Sequence, residues 1–440
     1  MRRTPLFYWP AADEPAREPT RGLARPLLFQ QQWPPERLTR AHAMPRAKIF
    51  YLISSLAQGG AERHLVELVR RLDPARFAGD ICVLADHEHF RCDVPEGQPR
   101  YRLRSRVWAS PPALARLVSA LRVARPQILH TYLNDGNLWG RLAASFTGPR
   151  PRIITSVHLD DMSAGYRWVE RRLAGRSDCI IAHSRSVERL LVEELGIARE
   201  RVVVIANGVD PDRFFPATPE ARGAARAAYG VTRGDFVALM AARIAPQKNQ
   251  DLVVEALARL KAAGALPERF RLLLAGRVSS RAYDRRVRAA VARADLGDHV
   301  RFLGPVSDMP SLYAAADAVL MPSQTEASPI AALEALACGV PVLLSAAANT
   351  DGVLVGGQHG WQIGEVSVAA IAASIEEIAR TSADARARLG AAARAHVLEH
   401  FTTARMADEF MQRYDAVMAG GAAGAAAPHT TSAAAGHGTA

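Results

Sequence analysis

The chain has 440 residues, 49% hydrophobic and 22% charged, the proportions of a globular protein long enough for two domains of ordinary size plus tails. No stretch approaches the roughly 18 consecutive apolar residues of a membrane span. The net charge of +11, almost all from arginine, fits attraction to an anionic substrate or to anionic lipid; no helix-turn-helix, zinc-finger or RNA-binding signature supports nucleic acid as a partner.

Residues 1–44 carry Arg and Pro throughout and no apolar core segment, so they are expected to be a disordered extension rather than a signal peptide. From there short apolar runs alternate with helical patterns. Strands are expected over 48–54, 80–84, 127–131, 152–157, 179–183 and 202–206. Helices are expected between them over 61–72, 112–124, 137–146, 164–175 and 187–195. Continuous apolar strands separated by amphipathic helices define βαβ units and a parallel sheet. Residues 45–209 therefore read as one Rossmann-like domain, and 210–234, rich in Pro, Gly and charge, as a linker.

A second alternation follows. Strands are expected over 236–241, 271–275, 300–303, 318–321 and 340–344, and helices over 250–261, 285–294, 309–315 and 329–338. Helical patterns then continue to residue 418. Residues 235–400 read as a second Rossmann-like domain, 401–418 as a helix crossing back to the first, and 419–440, rich in Ala, Gly and Thr, as a disordered tail. Cys82, Cys92, Cys179 and Cys338 lack metal-ligand spacing and read as reduced core thiols of a cytosolic protein.

The chemistry concentrates where strands end. Glu326 and Glu334 sit in one device running from Pro322 to Pro341. An apolar strand leads to Ser328 as an expected N-cap and Pro329 at the first helical position, with Gly339 just past the helix end. A helix N-terminus at the carboxyl end of a parallel strand is where this kind of sheet binds phosphate. Two carboxylates flanking such a site would repel phosphate, so they are expected to accept hydrogen bonds from sugar hydroxyls. The pattern points to a nucleotide-sugar site.

Other segments surround it. Gly59-Gly60-Ala-Glu62 lets the backbone approach a ligand after the first strand, but it is not the dinucleotide fingerprint G-x-G-x-x-G. Arg243 and Lys248, five apart at a strand end, can clamp a diphosphate. His158, in Thr155-Ser-Val-His-Leu-Asp-Asp161, ends a strand at the edge of the cleft; His130 reads as a strand-end residue. Asp210 and Asp212 form an Asp-x-Asp, but their place at the opening of the linker makes them turn and cap residues, so no metal is expected.

In this order and spacing the segments resemble the retaining glycosyltransferase family 4. The resemblance runs from about Lys48 to Met418 and rests on Gly59-Gly60-Ala-Glu62, Ile128-Leu-His-Thr-Tyr132 with Asn137 to Ala143, His183-Ser184, Val204 to Asp210, Arg243 with Lys248-Asn249, and Glu326 to Pro341. It implies the α/β GT-B fold, two Rossmann-like parallel-sheet domains facing a cleft. It also implies a nucleotide diphospho-sugar donor, UDP-linked by expectation, a glycan or lipid-linked acceptor, and no cofactor. Carried over, Glu334 would bind the ribose hydroxyls and Glu326 the donor sugar. Arg243 and Lys248 would neutralise the diphosphate, helped by backbone N–H groups at the helix N-terminus around Ser328, Pro329, Ile330 and Ala331. Gly59 and Gly60 would approach the diphosphate or acceptor, and His158 the donor sugar or acceptor side. The sequence departs from the family at Ala327-Ser328, where Gly and an aromatic are usual, and at 346–352, where a Gly-Gly-x-x-Glu loop is usual. Two other readings share the fold: a catalytically dead nucleotide-sugar-binding subunit and a nucleotide-sugar 2-epimerase. The expected setting is the cytoplasm, with peripheral contact to anionic membrane through the basic amphipathic stretch Tyr166 to Arg176 and a role in surface polysaccharide or glycolipid synthesis.

Overall fold

The computed structural model describes residues 46–420, apart from 57–58, 86–93, 95–99, 104–109, 159–161 and 350. The extension expected over 1–44, all but two residues of the expected tail, and Cys92 lie outside the described residues.

The first domain is a seven-stranded, all-parallel sheet. Its strands are β1 (Ala47–Ile53), β2 (Phe77–Val83), β3 (Arg100–Arg102), β4 (Ile128–Tyr132), β5 (Arg152–Val157), β6 (Cys179–Ala182) and β7 (Val202–Val204), in the order β3-β2-β1-β4-β5-β6-β7. Helices cover both faces: α1 (Gly60–Arg70), α2 (Pro111–Ala124), α3 (Leu133–Ala144), α4 (Ala164–Leu173) and α5 (Arg185–Arg189), which continues through one π turn to Glu194. Burial on both faces explains why the central strands read as unbroken apolar runs rather than alternating ones. The switch between β1 and β4 opens the crevice at the carboxyl ends of the strands, where such sheets place ligands.

The second domain repeats the plan with six parallel strands: β8 (Phe236–Ala241), β9 (Phe270–Ala275), β10 (Val300–Gly304), β11 (Ala318–Met321), β12 (Val342–Ser345) and β13 (Gly360–Ile363), ordered β10-β9-β8-β11-β12-β13. Its helices are α6 (Pro219–Ala228), α7 (Gln250–Ala262), α8 (Arg281–Arg293), α9 (Met309–Ala315), α10 (Ile330–Ala337), α11 (Val368–Arg380) and α12 (Ala383–His400). The last helix, α13 (Thr403–Met418), returns to the first domain and buries Met406, Phe410, Tyr414 and Val417 in its core. The Tyr414 hydroxyl meets the Tyr51 hydroxyl at 3.2 Å and His130 Nδ1 at 2.8 Å, while His130 Nε2 pairs with Ser156 Oγ at 2.9 Å. His130 is therefore a satisfied core residue inside β4.

The structure corrects several sequence expectations. Two short edge strands, β3 and β13, and helix α6 were not expected. Within the expected 210–234 linker lies α6, which Thr218 caps through its side chain and Pro219 opens. Ser328 does not cap α10: the helix starts at Ile330, Pro329 occupies the cap position, and no side chain caps it. Asp210 behaves as a turn residue, accepting from Asp212 N at 3.0 Å, and pairs with Arg71 at 2.7 Å.

One buried ion pair holds α3 to α4. The Arg141 guanidinium, fully buried, donates to both oxygens of Glu170 at 2.6 and 2.7 Å and to Ser177 Oγ at 2.9 Å. Removing one member strands a buried charge, whereas replacing both with apolar residues does not. Arg141→Met is expected to lower unfolding stability by about 3–5 kcal/mol in urea titration, and the double variant Arg141→Met/Glu170→Leu to recover most of it. Equal losses in the two would contradict this reading.

Candidate functional site

The cleft between the two sheets is built by loops at strand ends. After β1 the chain enters α1 at Gly60, with Gly59 as the extended N-cap. Across the cleft, α10 starts at Ile330. A Cβ on Gly60 would lie 2.9 Å from Ile330 Cδ1, so the two helix N-termini stand close enough that an alanine at 60 would displace the end of the Ile330 side chain. Both macrodipoles present positive ends to the same space.

That space is a cavity of about 360 Å³. Gly59, Gly60, Arg243, Ile330, Ala331 and Glu334, all expected from sequence, line it together. Arg63, Arg213 and Arg277 line it too and were not expected. Four arginines face one glutamate there, a surplus of positive charge that suits a polyanion such as a diphosphate.

Glu334 is 4% exposed, and both its oxygens are engaged. Arg63 Nη1, from α1 of the other domain, donates to Oε1 at 2.5 Å, and the Tyr313 hydroxyl donates to Oε2 at 2.8 Å. Burial raises its pKa above the usual glutamate value; the Arg63 charge, the Tyr313 hydrogen bond and Arg213 act against that rise. A carboxylate has about four acceptor positions, so the two bonds fix its plane and leave lone pairs for a diol.

Glu326 and Lys248 are brought together elsewhere. Lys248 Nζ donates to Glu326 Oε1, which also accepts from Ser323 Oγ at 2.8 Å; neither residue lines the cavity. The loops carrying them are tied by Asn249, whose left-handed backbone (φ 56°) starts α7 and whose Nδ2 donates to the Pro322 carbonyl at 2.7 Å. Lys248 thus meets the carboxylate beside it, where sequence alone had assigned it to a diphosphate. Ser328 and Pro329 form the approach to α10 rather than its first turn.

His158 joins a cluster in the first domain with His64 and His183. The His158 and His183 rings stack with centroids 3.7 Å apart. Burial holds His64 and His158 well below the usual histidine range and pushes His183 down to about 3, with the Ile205 backbone and Asn207 side chain partly opposing.

The missed residues divide by legibility. Arg63 stands four residues past Gly59 in the first turn of α1, a place from which a long side chain reaches the helix N-terminus. Tyr313 is one buried aromatic among many and carried no signal.

Two facing Rossmann-like domains, joined by a helix that crosses back and enclosing a cationic cleft at their strand ends, define the GT-B class. Residues 222–396 match the family model for glycosyl transferases group 1, and residues 58–213 match that for glycosyltransferase family 4. The chain belongs to this glycosyltransferase family. It is 33% identical over 252 residues to the D-inositol 3-phosphate glycosyltransferase of Geodermatophilus obscurus, covering 56% of this chain and 54% of that protein. It is 32% identical over 250 residues to that of Stackebrandtia nassauensis, with similar coverage of 56% and 55%. The chain thus spans about half the length of the curated relatives it matches. Among solved structures it resembles Anabaena Alr3699/HepE in complex with UDP and glucose (TM-score 0.75, 22% identity, 84% of this chain and 100% of that one). It also resembles sucrose-phosphate synthase from Thermosynechococcus elongatus (TM-score 0.70, 20% identity, 85% of this chain and 100% of that one). These likenesses establish the fold.

The site makes a pH prediction. Burial favours the neutral acid of Glu334, so the ionised acceptor form is lost, as pH falls, at a higher pH than for an ordinary glutamate. Arg63→Ala removes the charge that opposes this, and is expected to move the acid edge of UDP affinity further up. Glu334→Gln is expected to weaken UDP about 10-fold or more, the worth of one charge-assisted hydrogen bond. Calorimetric titration checks both; affinities and pH edges equal to wild type would remove Glu334 from the site.

Proposed function

We propose that the protein is a retaining glycosyltransferase that moves a sugar from a nucleotide diphospho-sugar, UDP-linked, to a glycan or lipid-linked acceptor. The observation that carries this reading is the cavity between the α1 and α10 N-termini, with its arginine surplus and one positioned carboxylate. The UDP and glucose bound to Alr3699/HepE, on the same fold, agree with it.

In this reading the diphosphate lies against Arg243 and the α10 N-terminus, and Glu334 accepts from the ribose hydroxyls. The acceptor oxygen attacks the anomeric carbon on the face from which the diphosphate departs. The C–O bond to the diphosphate breaks, and the acceptor proton passes to the departing diphosphate oxygen. Guanidinium groups and helix N–H groups meet the charge that develops on that oxygen, so the transfer needs no metal. Glu326, held by Lys248 and Ser323, is a fixed acceptor for a donor-sugar hydroxyl, and His158 borders the sugar. The protein supplies position and charge rather than a covalent nucleophile.

The partners extend to a membrane surface. Trp168 on α4 is 62% exposed with the Arg172 guanidinium 5.4 Å from its ring centroid, an aromatic-basic pair suited to an anionic interface. No helix among the described residues is long and apolar enough to cross a membrane. We place the enzyme at the inner face of the membrane, in surface polysaccharide or glycolipid assembly.

Arg243→Ala is expected to lower UDP release from a UDP-sugar about 10²–10³-fold, the effect of removing one charge-stabilising donor, with the product anomer keeping the donor configuration by NMR. C2 epimerisation without transfer would support the epimerase reading; tight UDP binding with no turnover on any acceptor, inositol 3-phosphate included, would support a dead subunit. Vesicle flotation is expected to retain the protein on anionic but not neutral lipid and to lose it in Trp168→Ala. No retention on anionic vesicles would remove the membrane from this reading.

A further inference from the structure

The histidine cluster contains more than the transfer chemistry uses. His64 comes from α1, His158 follows β5 and His183 follows β6, and one ring nitrogen from each lies within 4.8 Å of the others. The His64 ring centroid lies 4.6 Å from that of His183 and 5.2 Å from that of His158. Both ring nitrogens of His64 and Nε2 of His158 are buried without a hydrogen-bond partner. A buried polar atom left unpaired is costly, and His64 and His158 each bring such an atom to a group in which one nitrogen per ring lies within 4.8 Å of the others, which calls for a ligand. The neighbouring His130 does not share this condition, since both its nitrogens are bonded within the core.

The ligand's chemistry follows from the donors. A neutral imidazole offers one ring lone pair to a metal, and the three rings stand buried together with one nitrogen each turned to the shared space. Carboxylates and thiolates are absent from the group, so hard ions such as Mg²⁺ and Ca²⁺ find no oxygen ligands there. Three imidazoles suit Zn²⁺, Co²⁺, Ni²⁺ or Cu²⁺, and leave a further coordination position for water.

We propose that His64, His158 and His183 form a binding site for a late first-row divalent cation, with Zn²⁺ as the physiological occupant. Two stacked rings send their lone pairs in parallel, so the His158–His183 stack opens when an ion enters. His158, at the point where β5 ends and only partly covered, is the ring that turns. The consequence rests on the proposed transferase reading: an ion that takes the His158 lone pair withdraws that side chain from the donor sugar, so the site inhibits transfer. Its ligands include none of the groups assigned to the diphosphate.

Binding is tested apart from activity. The full-length protein is loaded with Zn²⁺, dialysed against metal-free buffer and assayed by elemental analysis; a parallel sample takes Co²⁺ and is read by its visible absorption. Wild type is expected to retain one equivalent of zinc and to show the intense visible bands of low-coordinate cobalt. His64→Val and His158→Gln are each expected to lose both signals, with folding checked by circular dichroism, so that either variant decides if the other fails to fold. No retained zinc in wild type, or zinc retained unchanged in both variants, overturns the site. In the activity arm, Zn²⁺ is expected to suppress UDP release by wild type, and His64→Val, whose metal-free turnover should stay near wild type, to escape. Failure of turnover altogether would count against the transferase reading while leaving the binding result intact. Zinc that binds without slowing wild-type turnover would overturn the inhibitory role.

Discussion

The geometry of the cleft depends on one short pairing. The chain passes between the domains twice, after β7 and before α13, and the two passages bond to each other. Val209 N donates to the Phe401 carbonyl at 2.8 Å and Thr403 N to the Val209 carbonyl at 3.0 Å. Gly208 makes the approach possible, since a Cβ there would lie 2.4 Å from the Thr402 carbonyl oxygen. Everything that faces across the cleft inherits its spacing from this crossing. Gly60 opposite Ile330 and Arg63 on Glu334 are the closest consequences. Beyond the crossing, α13 locks into the first domain through Phe410 and Tyr414, so the joint is backed by a buried aromatic core rather than a loose tether.

Within that frame the two glutamates of the Pro322–Pro341 segment have different duties. Glu334 is held from both domains, by Arg63 and Tyr313, and looks into the cavity. Glu326 is held within its own domain by Lys248 and Ser323. Burial raises the pKa of Glu334 even with a guanidinium beside it, so its carboxylate is desolvated. The arginines give the cavity a surplus of positive charge around its one glutamate.

Much of this was legible in the sequence because parallel strands buried on both faces are spelled as apolar runs. Strands 152–157, 236–241 and 318–321 have the same bounds in the structure as in the sequence reading. The edge strands β3 and β13 were not legible: three or four residues carry no periodicity, and Gly360–Ile363 is fixed in place by its pairing with β12. Helix α6 hid in a Pro- and Gly-rich stretch although its Thr218-Pro219 start is a helix signal. In the site, residues grouped by one motif were found, while partners chosen by the fold were not. Arg63 and Glu334 are 271 positions apart, and Lys248 and Glu326 are 78, separations that no spacing rule reaches. His64 lies within the expected helix 61–72 and His183 ends the expected strand 179–183, with no spacing that links them; only the folding of α1 over β5 and β6 shows them beside His158.

A crystal structure of the full-length protein with UDP tests the central claim most directly. The cleft reading predicts ribose hydroxyls within hydrogen-bond distance of Glu334, and the diphosphate against Arg243 and the N–H groups at the start of α10. UDP bound away from this cavity, or bound in it with Glu334 contacting only Arg63 and Tyr313, would contradict it.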